Sequence, residues 1–332
     1  MAGLLSAALL LKSGKSVHLT EILSKPGGRL SPERREGFVL GSGFSFGDGA
    51  WWRQVTDRLG IPSNMAPVGN GGALVHGSRG WVAPEEIPAW EAYLSRPCTE
   101  FPVGGVFGIV ETLLEFCGSH DKFSFSLESP LTALETQHGA VTSASLGATK
   151  QIHPGEVHWC AAYRTLLEAL KGPGVPEPGP ERVSWMKKFV KTQPQPGVVI
   201  EFGHKSKLGD FTETLLLPFT AGEKEERRYM VGSVVSNRDS SLAPEGRSSS
   251  SWVFPLTEAE WGDNHESMKK IRAARRLLEK AFPSFEQTLI FDRVLVLEST
   301  FQPLAKKKGE RHALLENLHL GALRGVGVAF AV

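Results

Sequence analysis

The sequence is poor in cysteine, and its opposite charges nearly cancel. Its three cysteines, Cys98, Cys117 and Cys160, are too widely spaced for a metal-ligand pattern and form no evident disulfide framework. We therefore expect a reducing compartment, the cytoplasm, and no metal site. Lysine and arginine number 37 against 36 acidic residues, which leaves a net charge of +1. Without a basic patch that also carries aromatic residues, this balance argues against nucleic acid as a partner.

Long apolar runs and catalytic side-chain sets are also absent. No stretch is long enough to cross a bilayer, so any membrane contact would be peripheral. The apolar run at residues 4–11 has no basic residue before it and no cleavage site after it, which argues against a signal peptide. No Ser-His-Asp set stands out, and His18, His158 and His204 are isolated histidines with an expected structural role. The sequence therefore assigns no catalytic side chain.

The strongest pattern lies in the first 29 residues. Residues 4–12 are apolar or small and predict a tightly packed helix, which Gly14 would end as a C-cap. Residues 17–20 predict a short buried strand, and Glu21 follows it. Glu21 stands at the distance from Gly3 where a carboxylate reaches the ribose hydroxyls of a bound dinucleotide. The pattern predicts the helix and second strand of a dinucleotide-binding βαβ unit.

The next residues sharpen this prediction, since Gly27, Gly28 and Arg29 follow the acidic residue directly. The combination resembles the superfamily of flavin-dependent amine oxidases and phytoene desaturases, in which a Gly-Gly-Arg or Gly-Gly-Lys turn stands at this place. The resemblance implies that the glycines let the backbone approach FAD. It also implies that Arg29 faces the phosphates or the ring of this cofactor.

The family motif is incomplete at its start. The motif reads Gly-x-Gly-x-x-Gly after a strand, and only its last glycine, Gly3, is present. The first strand and two glycines would lie upstream of residue 1. Either the native start lies upstream and Met1 is an internal methionine, or the chain lacks half of its phosphate cradle. We favour the first reading as an expectation.

Other segments extend the resemblance along most of the chain. It implies that Gly41 and Gly43, in a glycine-rich stretch, pass close to the flavin. It implies that Leu131, near the first strand of a predicted meander, offers its backbone to the cofactor. Residues 102–105, Pro-Val-Gly-Gly, are similar to the turn at which the family returns to its FAD domain. Gly321 would lie in the last FAD-contacting strand, although Ala322 stands where the family places an acidic residue.

The resemblance implies an α/β fold with two discontinuous domains. The first is a Rossmann-like FAD-binding domain, with a central parallel sheet flanked by helices and a β-meander, at residues 1–50, 102–172 and 286–332. The second is an inserted antiparallel α+β substrate domain, at residues 51–101 and 181–285. We also expect residues 325–329 to open a last helix, and Phe202 and Phe219 to be candidates for lining a ligand cavity.

The function implied by the resemblance is that of an FAD-dependent oxidoreductase. Hydride would pass from an organic, rather apolar small molecule to the flavin, and the protein would supply position and exclusion of water. The alternative is a catalytically degenerate or truncated member that acts as a binding protein, in the manner of GDP dissociation inhibitors, which share the fold. The absent Gly-x-Gly and Ala322 favour this alternative, whereas Glu21 with its Gly-Gly-Arg turn favours a retained nucleotide site.

A predicted amphipathic helix at residues 265–282 carries six basic residues on its polar face. They are Lys269, Lys270, Arg272, Arg275, Arg276 and Lys280. One reading is contact with an acidic membrane surface, and the other is an ordinary solvated face. The second reading is the more frequent one for such helices.

Overall fold

The computed structural model describes residues 1–28, 33–41, 49–85, 98–137, 140–148, 150–160, 195–219, 229–301 and 326–328. The chain divides into two compact units, each discontinuous in sequence. The first unit comprises residues 1–28, 110–193 and 304–332, and the second comprises residues 29–109 and 194–303. The assignment of a cofactor to one domain and of a substrate to the other stays a prediction.

The first unit is built from short parallel strand pairs, a meander and helices. Its elements are α1 (Ala2–Lys12), β1 (Val17–Thr20), the greater part of α3 (Gly105–Gly118), β8 (Phe123–Ser126), β9 (Leu131–Gln137), β10 (Ala140–Leu146), β11 (Lys150–Ile152), β12 (Val157–Trp159) and β18 (Val326–Val328). Strand β1 pairs with β8 and β12 pairs with β18, both in parallel. The antiparallel order β11-β10-β9 forms the meander that the alternating residues predict.

Helix α1 and its ending follow the prediction closely. Gly14 has φ +84° and donates its N–H to the carbonyl of Leu11 at 2.8 Å, while Lys15 donates to Leu10 at 3.1 Å. This pair of bonds is the glycine-dependent Schellman ending, since an L side chain is disfavoured at positive φ. The helix is buried along Leu4, Ala7, Ala8 and Leu11, so its small residues permit close packing on the strands.

The second unit is organised around one large sheet. Its elements are β2 (Glu33–Arg35), β3 (Phe38–Leu40), α2 (Ala50–Leu59), β4 (Met65–Gly71), β5 (Ala73–Gly77), β6 (Gly80–Val82), β7 (Cys98–Pro102), the start of α3, β13 (Gln195–His204), β14 (Thr214–Pro218), β15 (Tyr229–Ser233), β16 (Ser248–Pro255), α4 (Glu258–Gly262), α5 (Asn264–Ala281), α6 (Phe285–Thr288) and β17 (Leu289–Phe301). The sheet has seven strands in the order β17-β13-β16-β15-β14-β5-β6. Its pairs are antiparallel except β5 with β14, which is parallel.

The main hydrophobic core fills one face of this sheet. Helix α5 supplies Ala274 and Leu278, which pack with Ile200, Phe202 and other buried sheet residues. The Asp263 carboxylate caps the helix by accepting the N–H of His265 at 2.7 Å. Of the predicted ligand-cavity aromatics, Phe202 and Phe219 both belong to this core, which corrects that expectation. Packing in this core accounts for both aromatic side chains without a ligand.

Two further predictions differ from the structure or lie beyond the described residues. Residues 326–328 form the strand β18 rather than the start of a helix. β-Branched Val326 and Val328 suit a strand, and both pair with β12. The prolines and glycines of residues 172–180 predict a linker, and this segment lies outside the described residues.

Candidate functional site

Gly3 lies where α1 contacts the strands beneath it. A Cβ atom at Gly3 would lie 3.1 Å from Cδ1 of Leu19 on β1 and 3.7 Å from Cβ of Cys160, just after β12. The first distance is tighter than ordinary packing, so a side chain would push the helix away from β1. Close approach of helix and strand is the role that the last glycine of a dinucleotide-binding motif serves.

Glu21 follows β1, and its main chain is held on both sides. Its N–H donates to the carbonyl of Ser126 at 2.9 Å, and its carbonyl accepts the N–H of Ser129 at 2.9 Å. The carboxylate turns back on its own loop, where Oε1 accepts the N–H of Leu23 at 3.1 Å. These bonds orient Glu21 by local geometry, and no basic side chain among the described residues pairs with it.

The glycine turn lies beside the second carboxylate oxygen of Glu21. Gly27 and Gly28 have φ values of +110° and +59°, a region that favours glycine. A Cβ atom at Gly28 would lie 3.7 Å from Oε2 of Glu21, in contact with it. A side chain at position 28 would therefore cover the oxygen that the Leu23 amide leaves open. The Gly-Gly turn keeps the space beside this carboxylate free.

Leu131 begins the meander close to the same place. It is the first residue of β9, two residues after Ser129, whose N–H is bound by the carbonyl of Glu21. The first unit thus contains five of the predicted positions around the end of β1, which are Gly3, Glu21, Gly27, Gly28 and Leu131. Arg29, Gly43 and Gly321 lie outside the described residues.

Gly41 belongs to the second unit and directly follows β3. Its φ is +91°, and its N–H donates to Oε1 of Glu201 at 2.7 Å. Glu201 is buried, and its other oxygen, Oε2, accepts a hydrogen bond from the Nε–H group of Arg293 at 2.7 Å. Burial raises the pKa of the Glu201 carboxyl, and the adjacent Arg293 guanidinium opposes this rise. The sequence predictions do not include a role for Glu201. The signal that could have found it is a single acidic residue within the apolar run of β13.

The Pro-Val-Gly-Gly turn is fixed by a second carboxylate that the sequence analysis missed. The N–H of Gly104 donates to Oδ2 of Asp239 at 2.5 Å, and Oδ1 accepts the N–H of Ser241 at 2.9 Å. Gly104 and Gly105 both have positive φ, so glycine is favoured at both positions. The bond from Gly104 joins this turn to a segment 135 residues later in the chain.

The three histidines have structural surroundings, as the sequence analysis expected. His204 is buried between aromatic rings, and burial lowers its pKa to about 4. Burial, with a smaller contribution from Lys150, lowers the pKa of His18. His158 lies 2.9 Å from Oε1 of Glu156, which also pairs with Lys15. None of these contacts forms a nucleophile–base pair with an oriented third group.

Three of the six basic residues on the polar face of α5 are paired with carboxylates. Lys269 pairs with Glu266, and Lys270 with Glu260 at 2.8 Å. Arg275 pairs with both Glu286 and Asp292. This neutralisation favours the solvated-face reading over a membrane-binding surface.

The described part of the chain contains neither a candidate metal site nor a membrane-spanning helix. No group of three or more His, Cys, Asp or Glu side chains there could hold a metal ion. Among the same residues, no helix combines the length and apolar character that a membrane crossing requires.

Comparison with known proteins identifies the fold. Residues 1–59 match the family model of an NAD(P)-binding Rossmann-like domain. An oxidoreductase from Methanosarcina mazei superposes with a TM-score of 0.72 at 15% identity, covering 99% of this chain and 92% of its own. A reduced UDP-galactopyranose mutase gives a TM-score of 0.66 at 17% identity, with coverages of 98% and 87%.

A third structure extends this likeness to an amine oxidase. An engineered putrescine oxidase superposes with a TM-score of 0.62 at 10% identity, covering 99% of this chain and 91% of its own. No curated protein sequence matches the chain. The predicted α/β class, with a Rossmann-like domain and a large sheet, is confirmed. The chain therefore shares its fold with these solved structures, and its first 59 residues have the pattern of an NAD(P)-binding Rossmann-like domain.

Proposed function

We propose that this protein is an FAD-dependent oxidoreductase that takes hydride from an organic, predominantly apolar small molecule. The observation that carries the proposal is the placement of Glu21 beside the Gly27-Gly28 turn. Oε2 of Glu21 has no partner in the described part of the chain, and Gly28 leaves the space next to it open. A free carboxylate oxygen after the second strand of a Rossmann-like unit suits a ribose diol.

The residues of the first unit fit the adenosine half of FAD. Glu21 would accept hydrogen bonds from the ribose hydroxyls, and Gly28 would let the main chain approach. Leu131 would offer its backbone to the cofactor from the start of the meander. Arg29 would face the phosphates or the ring. The proposed set of cofactor-binding residues is completed by the glycines Gly3, Gly27, Gly41, Gly43 and Gly321.

FAD, when bound, supplies the chemistry of accepting a hydride. The chain's own part is to bind and orient the cofactor and the substrate and to exclude water. No catalytic side chain is assigned, because His18, His158 and His204 have structural surroundings. The compartment is proposed to be the cytoplasm.

The second candidate function is a binding protein without redox activity. It is favoured by one specific feature, which is that Ala322 stands where the resembled family places an acidic residue.

Titration with FAD tests the role of Glu21 directly. A charge-assisted hydrogen bond contributes about 1.5–3 kcal/mol, so Glu21→Ala should weaken FAD binding by roughly tenfold to a hundredfold. Glu128→Gln is the matched control, because Glu128 is exposed and close by, and its N–H contact to the Leu23 carbonyl is a main-chain bond. The control should bind FAD as the parent protein does.

The same titration decides between the two candidates. Equal FAD affinity of the parent and Glu21→Ala would contradict the proposed ribose contact. No measurable FAD affinity in any of the proteins would contradict the oxidoreductase proposal and favour the binding protein.

A further inference from the structure

His18 makes polar contacts within the first unit that the proposed reaction does not use. Its neighbour on β1, Leu19, faces α1, since Cδ1 of Leu19 would lie 3.1 Å from a Cβ atom at Gly3. Successive side chains of a strand point to opposite faces, so His18 points away from α1. On that side it meets polar side chains of β8 and of β11, the last strand of the meander.

Both ring nitrogens of His18 contact these side chains. Nδ1 lies 2.5 Å from the hydroxyl oxygen of Ser124, and Nε2 lies 3.3 Å from the hydroxyl oxygen of Ser126. Nζ of Lys150, the first residue of β11, lies 3.4 Å from Nε2 and 3.4 Å from the same Ser126 hydroxyl. One polar atom from each of the strands β1, β8 and β11 therefore contacts the other two.

Lys150 determines the protonation state of the ring that this arrangement requires. An ammonium group only donates hydrogen bonds, so Nε2 must carry a lone pair and accept. The proton of the neutral ring then lies on Nδ1, which donates to Ser124. A second proton, at Nε2, would replace the acceptor by a donor and would leave two positively charged groups 3.4 Å apart. Protonation of His18 therefore turns its contact with Lys150 from attractive to repulsive.

Lys150 is the charged group, among the described residues, that acts on His18. Of the elements packed on β1, β8 has no charged side chain, and α1 has only Lys12, in its last turn. Burial, and after it the charge of Lys150, lower the pKa of His18 from its usual value of 6.5. A form in which β11 has moved away binds the proton more readily, so a falling pH favours that form.

The strand that carries Lys150 is short and lies at an edge. β11 has three residues and is the outer strand of the meander, where it pairs with β10. Elements with few buried contacts open locally at a low free-energy cost. One contact with β1 and β8 is therefore sufficient to change how often β11 opens.

We propose that His18 and Lys150 form a pH-sensitive contact, which holds β11 against β1 and β8 while His18 is neutral and lets β11 open when His18 is protonated. All the residues of this contact belong to the described part of the first unit. The contact needs no bound cofactor, so the proposal does not rest on the proposed function.

NMR of the histidine ring tests the contact between the two side chains. The ¹⁵N shifts of His18 should show the tautomer with its proton on Nδ1 at pH 7.5, and the pKa of His18 should rise in Lys150→Met. Lys122→Met is the matched control, because Nζ of Lys122 donates to the carbonyl of Gly14. This control should leave the pKa of His18 unchanged. Equal pKa values in the parent and in Lys150→Met, or a proton on Nε2 at pH 7.5, would overturn the proposal.

Hydrogen exchange of a peptide that contains residues 150–152 tests the opening of β11. Protection is taken relative to the intrinsic exchange rate at each pH. In the parent it should fall by about tenfold between pH 7.5 and pH 5, the effect of losing one charge-assisted hydrogen bond. His18→Gln keeps an acceptor for Lys150 that does not titrate, so its β11 peptide should lose much less protection.

A peptide from α1 is the reference, and its response to pH should be the same in the parent and in His18→Gln. Equal losses of protection at β11 in these two proteins would contradict the proposed opening. A larger loss in the parent at α1 as well as at β11 would show that His18 acts on the whole unit, and this result would also overturn the proposal.

Discussion

The imidazole of His204 is hydrogen bonded to the hydroxyl of Thr288 inside the main core of the second unit. The distance from Nδ1 to Oγ1 is 3.1 Å, and this hydroxyl also donates to the carbonyl of Phe285. The hydroxyl of Thr288 therefore accepts a hydrogen bond from the N–H group at Nδ1. The other ring nitrogen, Nε2, lies 3.4 Å from the hydroxyl oxygen of Ser250. The hydroxyls of Thr288 and Ser250 therefore suit the neutral ring with its proton on Nδ1.

The stability of the protein should fall as the pH decreases because His204 must stay neutral in the fold. Burial lowers its folded pKa to about 4, whereas the reference pKa of histidine is 6.5. The unfolded chain therefore binds more protons between these values, and unfolding becomes easier as the pH falls through this window. Across the whole window, this histidine lowers the free energy of unfolding by about 3 kcal/mol. Urea unfolding at pH 7, 5.5 and 4.5 measures this decrease in the free energy of unfolding.

His265→Gln is the control for this prediction, because His265 is exposed. This variant should show the same pH dependence of the free energy of unfolding as the parent protein. His204→Phe should flatten that dependence within the window. A parent protein with equal free energies of unfolding at pH 7 and 4.5 would contradict the assignment.

The serine run of β16 predicts opposite effects for its two faces. In the described part of the chain, the buried hydroxyls of Ser249 and Ser251 have no hydrogen-bond partner. Ser248 and Ser250 lie on the other face, where Ser248 donates to the carbonyl of Ser206 at 2.9 Å. Removing an unsatisfied buried hydroxyl is nearly neutral or stabilising, whereas removing a bonded one costs about 1 kcal/mol.

Urea midpoints of the four single alanine variants test the serine prediction. Ser249→Ala and Ser251→Ala should match or exceed the parent midpoint, and Ser248→Ala and Ser250→Ala should fall below it. Losses of the same size on both faces would show that the hydroxyls of Ser249 and Ser251 are satisfied, for example by buried water.

Gly232 should be intolerant of any side chain because the ring of Trp252 lies over it. The two residues are opposite each other on β15 and β16, and a Cβ atom at Gly232 would lie 2.2 Å from Cε3 of Trp252. Gly232→Ala should lower the free energy of unfolding by about 3 kcal/mol, the upper range for overpacking. Gly77→Ala, on β5 of the same sheet, meets no atom within 4 Å and should cost far less. Similar losses in both variants would refute this contact.

Asp239 should be needed for the Pro-Val-Gly-Gly turn. Asp239→Ala leaves the N–H of Gly104 without its buried acceptor, which costs about 1–3 kcal/mol of stability. The exposed Asp210, paired only with Lys207 across a short separation, provides the control variant Asp210→Ala. Thermal unfolding should separate the two variants by several degrees. A difference within error would mean that the turn keeps its geometry without Asp239.

Local sequence patterns predicted the parts of the fold that depend on local physics. Helix α1, its Gly14 ending and β1 follow from apolar spacing and from one positive-φ glycine. The amphipathic helix predicted at residues 265–282 is α5, Asn264–Ala281. These elements form from contacts between near neighbours, which a single sequence displays.

The interactions that the sequence did not predict are those between distant segments. The order of the seven-stranded sheet places β5 beside β14, and nothing local to either strand specifies this pairing. The acceptors of the Gly41 and Gly104 amides are 160 and 135 residues away. Residues 325–329 are predicted to open a helix, whereas the pairing of residues 326–328 with β12 makes those three residues a strand.

The visible absorption spectrum of the purified protein, recorded after incubation with FAD and gel filtration, tests the central claim most directly. The account predicts flavin absorbance that stays with the protein in an equimolar ratio and that is lost in Glu21→Ala but retained in Glu128→Gln. Complete separation of flavin from the parent protein during gel filtration would contradict the account of this chain as an FAD-dependent oxidoreductase.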